Sequence, residues 1–312
     1  MSDLIRDKDT LDCVGEAKAK SIGAYPAREA MLGGGLKIRR ALPVRGKRMI
    51  GAWCFLDHFG PHAFAPGEMA MDVAAHPHIG LQTVTWLLAG EVLHKDSLGY
   101  QQVIRPGQLN IMTAGRGIAH SEETPARHSS QIHGVQFWVA TPDAHRHGDP
   151  AFAHYPEVPL VDRPGLRAQV MVGEAFGATS PAKTFSPMIG VDLALTGAGK
   201  HVLPLNPVFE HGIMVLEGSV NLEGTATQLG TLYDLGKDRS DFTLTCDAPA
   251  RLILIGGEPF GERIVMWWNF VARTSAEIGQ AREDWQNGDV FGEVKAYTGG
   301  RLDAPEFNLR LT

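Results

Sequence analysis

From residue 36 to about 140, apolar positions alternate or gather in short runs, broken at close spacing by turn residues. TVTWLL (83–88) stops at Ala89-Gly90, and EVLHKDS (91–97) stops near Gly99. QQVIR (101–105) ends at Pro106-Gly107, and QLNIMT (108–113) ends at Ala114-Gly115-Arg116-Gly117. HGVQFWVA (133–140) follows. Many short strands joined by tight turns predict an all-β sandwich or small barrel.

Residues 141–190 are rich in Pro, Asp, His and Ala and show no clear period. They read as a link between domains and the start of a second barrel. Strand signals then resume in MIGVDLAL, KHVLPL, GIMVLEGSVNLEG, DFTLTC and ARLILIGG. VTWLLAGEVL (84–93) and GIMVLEGSVN (212–221) both read as strand, glycine turn, strand, which predicts a duplicated β domain. The expected division is a metal-binding domain over 1–140, the link over 141–190, and a degenerate second domain over 191–312. Near the end, TSAEIGQAREDWQNG (274–288) carries Ile278, Ala281 and Trp285 at helical spacing. Thr274 or Ser275 is the expected cap and Gly288 the stop. Trp267, Trp268 and Trp285 are expected in the core. A further short helix is expected near Leu11–Lys20. Gly33-Gly34-Gly35 lacks a following GK[ST], so it reads as a turn into a strand rather than a phosphate cradle.

Composition sharpens this picture. The chain has 312 residues, 44% hydrophobic and 21% charged, which suits two folded domains. The 36 glycines and 19 prolines suit a turn-rich β protein. A net charge of -6 and no dense Lys/Arg cluster argue against direct nucleic-acid binding. Cys13, Cys54 and Cys246 form neither a disulfide framework nor a CxxC pair, so a reducing compartment is expected. The N-terminus has no apolar signal region, and no stretch approaches the ~18 apolar residues of a membrane helix. A cytoplasmic protein is the expectation.

The chemistry lies in the histidines. His76 and His78 sit at i and i+2, which puts both side chains on one face of a strand, about 6.5–7 Å apart at the backbone. His120 and Glu122 repeat that spacing. The stretch between the pairs has room for about four short strands, so a closed barrel returns the second pair to the first. Three imidazoles and a carboxylate suit one divalent ion of the Fe, Mn, Ni, Cu or Zn type. The absence of thiolate disfavours a closed structural zinc site. His94 sits in the outgoing strand without a partner and is expected beside the ligands or at the surface. His145 and His147 form another HxH pair, but in a Pro/Asp-rich loop, and are not expected to bind metal. The second half has His201, Glu210 and His211 but no i,i+2 ligand pairs, so no metal is expected there.

These features resemble the pirin family, a branch of the two-domain cupins. The markers are RRALP (39–43), LDHFGP (56–61), HPH (76–78), TAGRGIAHSE (113–122), HGVQFWV (133–139), GGEPFGE (256–262) and WWNFV (267–271). The resemblance covers most of the chain. It implies two cupin barrels side by side, with iron in the first held by His76, His78, His120 and Glu122. It implies either a quercetin 2,3-dioxygenase-like enzyme, taking a small aromatic substrate and O2, or an iron-binding regulator acting through protein partners without turnover. In the enzyme, Glu122 is the expected general base. The chain departs from the family after HPH, where Ile79-Gly80-Leu81-Gln82 replaces the common Arg-Gly-Phe-Glu. The four ligand positions are intact, but substrate preference does not transfer across that change.

Overall fold

In a computed structural model, residues 11–13, 21–65, 68–69 and 71–307 are described. The fold is all-β, with two cupin domains and one C-terminal helix. The first domain pairs a seven-stranded sheet with a four-stranded one. The large sheet runs Ala151–Tyr155, Leu109–Thr113, Leu81–Ala89, Gln131–Ala140, Trp53–Ala63, Leu36–Leu42, Arg28–Leu32. The small sheet runs Asp72–His78, Ile118–Glu123, Val92–Asp96, Gln101–Ile104.

The second domain repeats the plan. Its large sheet runs Leu160–Arg163, Leu166–Val172, Met188–Leu195, Ala250–Gly257, Glu210–Glu217, Thr231–Gly236, Gly23–Pro26. Its small sheet runs Gly199–Pro204, Asp241–Cys246, Asn221–Leu222, Thr225–Ala226. The duplication extends to single residues. Gly90 and Gly218 each follow the corresponding strand with positive φ, +86° and +70°. A Cβ at either would lie 2.4 Å from the carbonyl oxygen of Gln131 or 2.6 Å from that of Pro249. Glycine is therefore required for conformation and for space.

The two large sheets pack back to back. Trp53, Leu56, Trp86 and Phe137 from the first meet Met171, Met214, Ile253 and Ile255 from the second in one buried cluster. Phe55, Phe59 and Trp138, on the opposite face of the first sheet, fill its barrel. Both faces are thus apolar, which is why Gln131–Ala140 is buried at nine of its ten positions instead of alternating. Polar side chains peg the join. The Trp53 indole N–H donates to the Ile189 and Gly256 carbonyls at 3.1 Å each, and that of Trp86 donates to Asp192 Oδ2 at 2.8 Å. Edge strands cross over as well. Gly23–Pro26, ahead of the first barrel in sequence, pairs with Thr231–Gly236 of the second.

Inside the first barrel, RRALP and LDHFGP explain each other. Arg40 and Asp57 are cross-strand partners, joined by two hydrogen bonds of 2.8 Å. The guanidinium carbon lies 4.5 Å from the centre of the Phe55 ring. Two of the markers that carry the family resemblance are therefore the halves of one buried ion pair.

The expected C-terminal helix is present at Ser275–Asn287, ends at Gly288, and buries Ile278, Ala281 and Trp285. Thr274 caps it in a reciprocal box with Glu277. We expect Thr274→Ala to cost about 1 kcal/mol of stability, read as a shift in urea midpoint at unchanged slope. The helix and the hairpin before it pack on the outer face of the first barrel's small sheet, against Ala75 and Ala119. Trp285 is core, whereas Trp267 and Trp268 are only half-buried.

Two expectations change here. Leu11–Cys13 is a strand paired with Ile264–Trp267, not the start of a helix, because the open edge of that hairpin captures it; residues 14–20 lie outside the described residues. The stretch 141–190 is also richer in strands than its composition suggested. Ala151–Tyr155 completes the first barrel's large sheet, and its half-exposed edge position hides any period.

Candidate metal centre

Ile118–Glu123 is an inner strand of the small sheet, and its register assembles the site. His120 pairs with His76 on one side and Asp96 on the other. Ile118 pairs with His78, and Glu122 pairs with His94. A bulge lies between His120 and Glu122, where Ser121 faces two residues, Ala74 and Ala75, on Asp72–His78. Just before the strand, Gly115 has φ +54° and packs against Gly148, which lets the chain enter tightly.

His76, His78 and His120 converge. One ring nitrogen from each lies within 4.8 Å of the others, and all three residues are buried. Their other nitrogens are engaged. His76 Nδ1 donates to the Ala74 carbonyl at 2.9 Å, and His78 Nδ1 donates to the Asn269 carbonyl at 2.9 Å. His120 Nδ1 lies 3.3 Å from His94 Nδ1. The Nε2 atoms of His78 and His120 are 3.1 Å apart, and His76 Nε2 is buried with no hydrogen-bond partner among the described residues. An inward orphan nitrogen beside two more is costly by itself, and a cation would satisfy it. Two donors about 2.1 Å from one ion, on adjacent corners of its coordination shell, would stand about 3 Å apart. The residues present therefore fit a divalent transition metal.

Burial holds all three imidazoles well below the ordinary histidine value, and their mutual proximity adds to this. They are neutral near pH 7, the state a ligand needs. Glu122 is also buried, and burial pushes its carboxyl up. Its oxygens are outside the three-histidine cluster among the described residues. His145 and His147 are exposed in a turn, apart from this cluster.

Sequence reading missed two contributors. Asn269, 191 residues from His78, supplies its carbonyl from the C-terminal hairpin, and no local signal could reveal that. Asp96 holds His94 at 3.1 Å; its i,i+2 spacing from His94 was the available clue. A cavity of about 200 Å³ is lined by Ile79, Gly80, Gly115 and Arg116 together with Glu277 and Phe291. It takes in residues adjoining the ligand strands but none of the three histidines.

Comparison with known proteins places this geometry. The Pirin model matches residues 35–139, and the Pirin C-terminal cupin domain model matches 190–292. The chain belongs to the pirin family. Within it, one relative is a Pseudomonas aeruginosa protein named "Putative quercetin 2,3-dioxygenase", 47% identical over 282 residues, covering 89% of this chain and 88% of the relative. A "Pirin-like protein" of Caulobacter vibrioides is 37% identical, covering 89% and 94%. The crystal structure of quercetin 2,3-dioxygenase from Acinetobacter baumannii superposes with a TM-score of 0.90 at 46% identity, over 93% of this chain and 97% of that one.

Proposed function

We propose that this pirin-family protein is a metal-dependent dioxygenase of flavonol-like compounds, of the quercetin 2,3-dioxygenase type. His76, His78, His120 and Glu122 hold the metal in this reading, and iron is the metal. The observation that carries it is the buried, neutral three-histidine cluster, in a chain nearly half identical to proteins named for that activity.

When bound, such an ion supplies Lewis acidity and redox chemistry with O2. The chain's own residues do the rest. The carbonyls of Ala74 and Asn269 fix the His76 and His78 rings so that Nε2 faces inward. Trp138, edge-on to His78 with ring centres 5.2 Å apart, belongs to the apolar wall that keeps water from the barrel interior. Glu122 is the general base. Burial pushes its carboxyl up, so a Glu122 carboxylate not bound to the metal is a stronger acceptor for the proton of a flavonol hydroxyl than an exposed one, whereas the charge of a bound metal would lower it. Cys54 is buried in the core of the first barrel and Cys246 in that of the second, which is in keeping with a reducing cytoplasmic setting. Among the described residues, no helix is long and apolar enough to cross a membrane.

The test is anaerobic reconstitution with Fe(II), then O2 uptake with and without quercetin. We expect uptake that depends on quercetin and falls roughly 10²-fold or more in Glu122→Gln, the range lost with a general base. Tight iron binding with no uptake on any flavonol would instead support the regulatory reading, and a search for a protein partner would follow.

A further inference from the structure

Beyond the ligands, a line of polar groups leads outward from His120. His94 Nδ1 lies 3.3 Å from His120 Nδ1, and His94 Nε2 lies 3.1 Å from Asp96 Oδ2. The other Asp96 oxygen, Oδ1, accepts the backbone N–H of Leu98 and of Tyr100, each at 3.0 Å. His94 and Asp96 are both buried, and the His94 ring stacks on Phe152 with centres 4.4 Å apart. The loop after Asp96 is tied to the ligand strand: Ala119 N donates to Ser97 Oγ at 3.1 Å, and Ser97 N donates to the Ala119 carbonyl at 2.9 Å.

We propose that Asp96 and His94 are positioning residues that present His120 to the metal through Nε2. The argument is an inventory of hydrogens. A carboxylate only accepts, so the His94 nitrogen facing Asp96 carries the hydrogen. Two ring nitrogens 3.3 Å apart leave room for one hydrogen between them, and a His120 that ligates through Nε2 carries its hydrogen at Nδ1, so His94 Nδ1 supplies the lone pair. His120 meets that lone pair with its own Nδ1–H, which leaves Nε2 bare and aimed at His76 and His78. The hydrogen bond fixes both the ring's rotation and which nitrogen is the ligand. The inference rests on the metal-centre reading above and adds to it the reason His120 binds through one nitrogen only.

Asp96→Asn tests this sharply because the backbone dictates how the amide must lie. The two N–H groups of Leu98 and Tyr100 hold the side-chain oxygen where Oδ1 now sits. The NH2 is then forced to the Oδ2 position, facing His94. His94 must accept there and donate from Nδ1, and that hydrogen points at His120 Nδ1. His120 would then carry its own hydrogen at Nε2, the atom needed for the metal. The substitution conserves size and reverses every donor in the line. His94→Gln is the complementary variant. Its amide oxygen can accept from His120 while its NH2 donates to Asp96, which conserves the direction. His94→Phe keeps the stacking on Phe152 and removes the line.

The measurement is Zn(II) affinity of the metal-free protein by competition with a chromophoric chelator, with thermal melting of each variant alongside. We expect Asp96→Asn and His94→Phe to bind Zn(II) about 10–100-fold more weakly, the range lost with such partners, and His94→Gln to stay within about threefold of the parent. In the Zn(II)-loaded parent, nitrogen NMR should show a coupling between the Nδ1 nuclei of His94 and His120 across their shared hydrogen. Parent-like affinity in a folded Asp96→Asn overturns the proposal and leaves the metal site standing. If Asp96→Asn does not fold, equal affinities in His94→Phe and His94→Gln overturn it. A parent protein that takes up no Zn(II) sinks the metal-centre reading and this proposal with it.

Discussion

His120→Ala, and separately His76→Ala, should leave protein that holds little metal after anaerobic loading with Fe(II), desalting and elemental analysis. Removing even a partner of a ligand costs 10–100-fold in metal affinity, so removing a ligand should cost on the order of 10²-fold or more. His120 is the more severe loss because its strand lies inside the small sheet, between those carrying His76 and His94. Melting supplies a second readout. A ligand at a hundred times its Kd stabilises the fold by about 2.7 kcal/mol, so added metal should raise the parent's Tm and leave the variants' unchanged. The second barrel should stay folded in both. Its interior, around Leu193, Ile213, Phe242 and Leu254, is a separate cluster. A metal-to-protein ratio unchanged in both variants would remove the basis for the site.

Asp57→Ala should be the most destabilising single change away from the histidines, by about 3–5 kcal/mol. Asp57 is fully buried and accepts two hydrogen bonds from the Arg40 guanidinium. Truncating it takes the carboxylate away from a buried positive charge that lies against Phe55, and the loss of that ion pair sets the cost. The double variant Arg40→Met/Asp57→Leu should recover much of the loss, since a buried ion pair often contributes little more than apolar side chains of similar volume. Urea unfolding of the three variants checks this. A single-variant loss below about 1 kcal/mol would show that Arg40 finds another partner or water when Asp57 is gone.

Much of this protein is legible along the chain because its determinants are local. Turn glycines mark strand ends, since positive φ beside a crossing backbone leaves no room for a Cβ, as at Gly90 and Gly218. The helix announces its cap, its buried stripe and its stop within fifteen residues. The pair His76 and His78 is readable because the pleat puts i and i+2 on one face. The same rule places Glu122 on the face of His120. It gives no distance from that carboxylate to the histidines, and among the described residues the folded cluster comprises the three imidazoles.

What only the tertiary structure decided are contacts between residues far apart in sequence. The Asn269 carbonyl reaches His78 because the chain's last segment returns to cover the first barrel. Gly23–Pro26 and Ala151–Tyr155 find their sheets at open edges, where exposure erases the apolar period. His94 has an ordinary strand position in the sequence, and the fold makes it the link between Asp96 and His120. Local pattern determines which face a side chain takes, because that follows from backbone geometry over a few residues. Which partner it meets there is settled by strand order and register, which depend on the packing of the whole chain.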